Sequence, residues 1–260
     1  MSKYQPLSPM GVKNLRWSRF RDYRHAEQEH LVPVVAPEVS RVAAELPLVF
    51  MENSEGKMEL MALLGLQAKT NHCLNEDYSW KPSYTPAILR GHPFRMLPPK
   101  GGKPTERTLC VDVDSPWVGE SAREAFFHST TTKKPELTPT LQAIADFLIE
   151  LEQHRYRTNI AVQSLADFQV LKPLDLRTVN GLVIEGVYQV DEEALNKLDD
   201  QKWLLLRKQG GLALAYAQMI STQQLPRLKA WAKDFTPPEA AEELDLDRVF
   251  SGADDDIFKF

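Results

Sequence analysis

The sequence predicts an α+β protein, with antiparallel hairpins first and helices segregated mainly to the C-terminal half. Three observations lead there. LVFME and KMELMALLGL flank the turn segment NSEG, the pattern of a hairpin with a Gly-bearing turn. From Thr138 the apolar spacing changes to a helical period, through Leu141, Ile144, Leu148, Leu151, Leu165 and Phe168. No βαβ alternation and no internal repeat occurs, so strands and helices are not interleaved as in a parallel sheet.

Each element has its own local reason. APEVSRVAAEL (36–46) reads as a helix with Pro37 in its first turn, stopped by Pro47. YTPAILRG suggests a short helix capped by Thr85. FRML and RTLCVDVD read as a strand pair joined by the turn-rich PPKGGKPTE. Thr138 and Pro139 open a long helix running to about Phe168. PLDLRT and LVIEGVYQV meet across Asn180-Gly181, a strong hairpin signal. Three helical stretches follow: DEEALNKL capped by Asp191, WLLLRKQ, and LALAYAQMISTQQLPRLKAWAK with a kink expected at Pro226.

At 260 residues with 43% hydrophobic and 26% charged residues, the chain has the make-up of an ordinary globular protein. No apolar run is long enough to span a bilayer, and the start lacks the apolar core of a secretory signal. Cys73 and Cys110 belong to no C-x-x-C and are read as free thiols, so the cytoplasm is the expected compartment. The net charge of −5 is unevenly spread. Residues 236–260 carry eight acids against Arg248 and Lys259, a net of −6. Up to position 24, Lys3, Lys13, Arg16, Arg19, Arg21 and Arg24 face only Asp22. Residues 1–235 are therefore read as one α+β domain and 236–260 as an acidic C-terminal tail.

Several segments imitate catalytic motifs and fail on geometry. RHAEQEH (24–30) resembles a zinc-peptidase signature, but His25 and His30 stand five apart, about 140° around a helix, and cannot share one ion there. A solvated charged face is the plainer reading. PPKGGKPT lacks the first glycine of a phosphate loop, and Pro104 removes a backbone donor beside Lys103. CVDVDSP is more promising: Asp112 and Asp114 alternate along a strand, so their carboxylates project from one face, able to hold a hard cation or divide acid and base roles. LRWSRFRDYRH interleaves arginines with Trp17, Phe20 and Tyr23. A pI near 5.7 makes nucleic acid an improbable partner and favours an internal docking strip. The final ADDDIFKF places Asp254, Asp255 and Asp256 before Ile257, Phe258 and Phe260. It resembles the partner-binding tails of bacterial single-stranded-DNA-binding proteins and points to a protein partner or to self-association.

Taken in order, RDYRHAEQEHLVPVVAPE, AAELPLVF, ALLGL, YTPAILRGHPFRM, CVDVDSP, LQAIADFLIELEQHR, IEGVYQVDEEALNKL and LALAYAQMISTQQLPRL resemble the SapC family over about residues 3–232. The resemblance implies a bacterial accessory protein associated with surface layers or nutrient uptake, and the absence of every strong catalytic motif favours a non-catalytic binding or assembly role. It points to Arg21, Asp22, Tyr23, His30, Pro33, Asp112, Asp114 and Ser115 as positions of any shared site. In the family pattern a histidine commonly stands where this chain has Gln218; if that histidine were catalytic, this chain would lack it. The alternative is a metal-dependent enzyme using His30 with Asp112 and Asp114. The sequence assigns no cofactor and no definite metal.

Overall fold

The structure is a computed structural model that describes residues 4–99, 101, 106–128, 135–176, 184 and 186–233. Its strands are β1 (Tyr4–Pro6), β2 (Arg16–Trp17), β3 (Leu31–Pro33), β4 (Leu48–Glu52), β5 (Met58–Leu63), β6 (Phe94–Leu97), β7 (Thr108–Asp112), β8 (Val118–Gly119), β9 (Leu171–Pro173) and β10 (Val187–Val190). Its helices are α1 (Val39–Ala43), α2 (Ala87–Arg90), α3 (Pro139–Asp167), α4 (Glu192–Asn196), α5 (Asp200–Gln209), α6 (Gly211–Ser221) and α7 (Leu225–Lys233). The fold is α+β: all the sheets are antiparallel, and the long helices follow position 138. The acidic tail and the Asn180-Gly181 turn lie outside the described residues.

The hairpin at 48–63 shows how sequence becomes sheet. The Asn53 carboxamide oxygen accepts from the backbone N–H groups of Glu55 and Lys57, at 2.9 and 3.0 Å. Gly56 supplies the positive φ of 75° that closes the turn. β4 and β5 then pair with Phe50 opposite Leu60, and the sheet grows outward to the order β3-β5-β4-β10-β9. A second sheet has the order β1-β7-β6, and β2 pairs with β8.

Two hydrophobic clusters result. One gathers on the five-stranded sheet around Phe50, Leu60, Leu63, Leu195 and Leu228; the other surrounds Trp17, Phe94, Val111 and Phe126. Helix α3, 29 residues and about 43 Å long at 1.5 Å per residue, serves both. Its first half gives Leu141, Leu148 and Leu151 to the second cluster, and its last turns give Ala161, Val162 and Leu165 to the first.

Several expectations shift in detail. The helix read at 36–46 begins as a 3-10 turn over Ala36–Glu38 and is regular only over α1. Pro86, not Thr85, stands at the start of α2, because the Thr85 hydroxyl donates instead to the Tyr23 hydroxyl. Thr138 precedes α3 in extended backbone, yet its hydroxyl donates to the Ala125 carbonyl rather than capping the helix. The strand expected from Pro173 lies earlier, over β9, with Leu171 opposite Val190. The break near Pro226 is a 3-10 turn over Thr222–Gln224, which leaves Pro226 as the second residue of α7, where its missing N–H costs nothing. Asp191 caps α4 as expected, accepting from the Ala194 N–H.

Candidate functional site

The segment 20–30 contributes Glu27 and Gln28 to one wall of a groove of about 840 Å³. The opposite wall is the loop 69–81. The two walls are tied by main chain: the Tyr23 N–H donates to the Tyr78 carbonyl at 2.9 Å, and the Asn71 N–H to the Glu27 carbonyl at 3.0 Å. Buried Asn71 completes the tie, donating from its carboxamide to the Ala26 carbonyl and accepting from the Cys73 N–H, both at 2.9 Å.

The loop is held in an uncommon shape. Lys69 and Tyr78 both take the left-handed backbone, with φ of 61°, which side-chain-bearing residues adopt rarely and at a cost of order 1–3 kcal/mol. Gly65 begins the bend, where a Cβ would sit 1.7 Å from the Thr70 carbonyl oxygen. Asn75 donates to the Ser79 hydroxyl at 2.8 Å and Asp77 accepts from the Ser79 N–H at 2.9 Å. The Ser79 hydrogen bonds hold the Asp77 carboxyl below its usual range. Glu27, Glu76 and Asp77 face Lys69 and Lys81 across a lining otherwise rich in amide and hydroxyl groups. Such a surface donates and accepts hydrogen bonds but carries little net charge.

Beside the groove sits a half-buried aromatic and histidine cluster. The rings of His25 and His92 stack 4.0 Å apart and within 5° of parallel. Phe20 meets the edge of both, and Tyr23 packs on Trp80 at 5.4 Å. Burial lowers the His25 pKa to about 4, against the raising effect of its bond to the Leu89 carbonyl. Burial, then the neighbouring His25 and Arg95, lowers His92 to about 3. Both rings are therefore neutral at ordinary pH.

His92 Nε2 lies 2.8 Å from the Ser115 hydroxyl. That hydroxyl oxygen also accepts from the Trp117 N–H at 3.2 Å, and the imidazole tautomer sets which partner of the His92–Ser115 bond donates. The distance is that of a nucleophile and its base. Yet both residues are buried, and a base of pKa about 3 has little power to take a serine proton near neutrality. The pair ties the turn before β6 to the turn after β7.

The sequence-derived candidates are gathered only in part: Tyr23 and Ser115 touch the histidine pair, and the Asp22 and Asp112 carboxylates act on the charge of His25. β7 ends at Asp112, and Asp114 lies in the following turn, so the expected alternation stops. Asp112 is buried and accepts from the Asp114 N–H at 3.3 Å, whereas Asp114 is exposed; the two carboxylates share no face. His30 stands at the head of β3, where its Nδ1 accepts from the Lys69 N–H at 3.3 Å. Among the described residues no group of three His, Cys, Asp or Glu is placed to hold a metal ion, and His30, Asp112 and Asp114 form no such set. Asp22 is occupied by Arg24 through two bonds of 2.8 Å. Arg21 is exposed, Pro33 closes β3 beside a second cavity, and Tyr23 and Ser115 join the histidine cluster. The tail residues Asp254, Asp255, Asp256, Ile257, Phe258 and Phe260 lie outside the described residues.

RHAEQEH is neither a helix nor a wholly solvated face: a 3-10 turn over Arg24–Ala26 turns His25 inward. His25, His92 and the polar loop 69–81 are the features that sequence reasoning missed. Gln218 is fully buried; its amide accepts from the Val190 N–H at 2.9 Å and donates to the Leu48 carbonyl at 3.2 Å. This position joins β10 to β4.

Fold and groove together define an α+β protein with a preformed polar surface groove and with His25 and His92 stacked on each other beside it. The SapC family model matches residues 7–228, and the chain belongs to the SapC family. No curated protein and no solved structure matches it. No helix among the described residues is long and apolar enough to cross a membrane.

Proposed function

We propose that this SapC-family chain is a non-catalytic binding or assembly protein of the cytoplasm, working in surface-layer formation or nutrient uptake, and that the groove between residues 24–30 and 69–81 is where it binds. The observation that carries this reading is the pair of left-handed residues, Lys69 and Tyr78, held on one groove wall. Strain of this kind persists only where surrounding bonds impose it, and it collects at binding and catalytic sites. The groove's mixture of amides, hydroxyls and opposed charges suits a polar ligand read by hydrogen bonds, such as a saccharide or an extended peptide. The low basicity of His92 favours binding over turnover. The acidic tail adds a second contact, to a partner or to another copy of the chain.

The test is an array of saccharides and peptides probed with labelled protein. One ligand class is expected to bind the wild type, with binding lost in Tyr78→Ala and Asp77→Asn and no chemical change in the bound ligand. Equal binding by both variants across the array refutes the groove, and turnover of a bound compound refutes the non-catalytic role.

A further inference from the structure

A second cavity, of about 200 Å³, opens on the other side of segment 29–33, between β3, α2, β6 and the middle of α3. Its body is aliphatic, walled by Val32, Ile88, Leu148 and Leu151. Four charges of balanced sign stand in its lining: Glu29, Arg95, Glu152 and Arg155. The two ends differ in how far these charges are already satisfied. At one end Arg155 donates to Glu59 at 3.0 Å, and Glu152 accepts from Arg107 at 2.9 Å, so both are held. At the other end Arg95 approaches Glu29 only to 3.7 Å, well beyond the 2.7–2.9 Å of a closed charge-assisted hydrogen bond. That guanidinium also rests over the Tyr4 ring, at 5.3 Å, which fixes its place without using its donors.

We propose that this cavity binds a small zwitterion with a branched aliphatic body, an aliphatic α-amino acid such as leucine. The ligand's carboxylate takes the N–H groups of Arg95, its ammonium takes the Glu29 carboxylate, and its side chain fills the space between Ile88 and the leucines of α3. A dry cavity of about 150 Å³ accommodates benzene, so 200 Å³ suits a ligand of slightly greater size. The open pair carries both signs a few ångströms apart, as an α-amino acid does, and this selects a zwitterion over a simple acid or amine. The inference is independent of the groove reading, since none of these four charged residues lines the groove.

Isothermal titration calorimetry of the full chain with L-leucine tests it, with 4-methylpentanoate and isoamylamine as single-charge comparators. Leucine is expected to bind at submillimolar concentration, and each comparator at least tenfold more weakly, about 1.4 kcal/mol per tenfold. Arg95→Gln and Glu29→Gln change partly exposed side chains, so the fold stands, and each is expected to weaken leucine at least tenfold. Tyr78→Ala should leave leucine binding unchanged while abolishing the groove's own binding, which separates the two sites. Absence of leucine binding up to about 10 mM overturns the proposal. So does a comparator that binds as tightly as leucine, or an Arg95→Gln protein indistinguishable from wild type.

Discussion

At the scale of single residues, the buried histidines make stability depend on acid. In the folded chain the pKa of His25 is lowered to about 4 and that of His92 to about 3, against 6.5 unfolded, and burial lowers His72 to about 4 as well. The unfolded chain therefore takes up protons that the folded chain refuses. Stability is complete above pH 6.5, falls as the pH drops from there towards 4, and levels off once the folded rings also protonate. Each such group contributes a slope of up to about 1.4 kcal/mol per pH unit inside that window. Removing one of them in His25→Phe should make the acid-side fall in urea midpoint less steep; an unchanged slope would show that His25 is not held neutral. Gln218 offers a sharper contrast. Gln218→Leu strands the Val190 N–H and the Leu48 carbonyl in the core, at about 1–3 kcal/mol for each unsatisfied group. Gln218→His can keep one of those bonds and should cost less in the same denaturation experiment. Equal losses would mean that the amide's bonds contribute little.

At the scale of elements, α3 was the most legible feature in the sequence, because a long apolar period and a Thr-Pro start leave few other conformations open. Leu148 is buried on it and would meet a Cβ added at Gly91 at 2.6 Å, so the packing there has no slack. Leu148→Ala is expected to cost about 2–5 kcal/mol, read as a lowered denaturation midpoint. A midpoint equal to wild type would place that face in solvent. The hairpin of β4 and β5 was equally legible, since Asn53 and Gly56 are turn residues with a defined role. What escaped sequence reasoning is short or non-local. β1, β2, β3 and β8 are two or three residues long, too short for an alternation to register, and each is fixed by a distant partner. The expected Asp112–Asp114 face failed because the strand ended one residue into the motif. The groove escaped because its walls are about 50 residues apart in sequence, joined by Asn71 and the main chain of Tyr23 and Tyr78. Only the folded chain brings them together.

At the scale of the whole molecule, charge is divided between the two ends. Residues 236–260 carry a net −6, while the first 24 residues hold six bases and one acid. Not all of those bases are free to meet a tail. Arg16 donates to the Arg123 carbonyl and Arg24 is paired with Asp22, which leaves Lys13, Arg19 and Arg21 as exposed cations on the described surface. Exposed ion pairs contribute only about 0–1 kcal/mol each and weaken with salt, so attraction alone gives a loose contact. Ile257, Phe258 and Phe260 provide what charge does not: apolar groups that an apolar slot on a partner recognises. The tail is therefore expected to dock, on a partner or on a second copy, through its last residues, with its acids steering the approach. Deleting residues 236–260 should leave the denaturation midpoint unchanged but alter oligomer size or partner capture. Phe258→Ala combined with Phe260→Ala should reproduce most of that change without altering charge, and raised salt should weaken the wild-type contact only in part. If both proteins match wild type in light scattering and in pull-down from native lysate, the tail serves solubility alone.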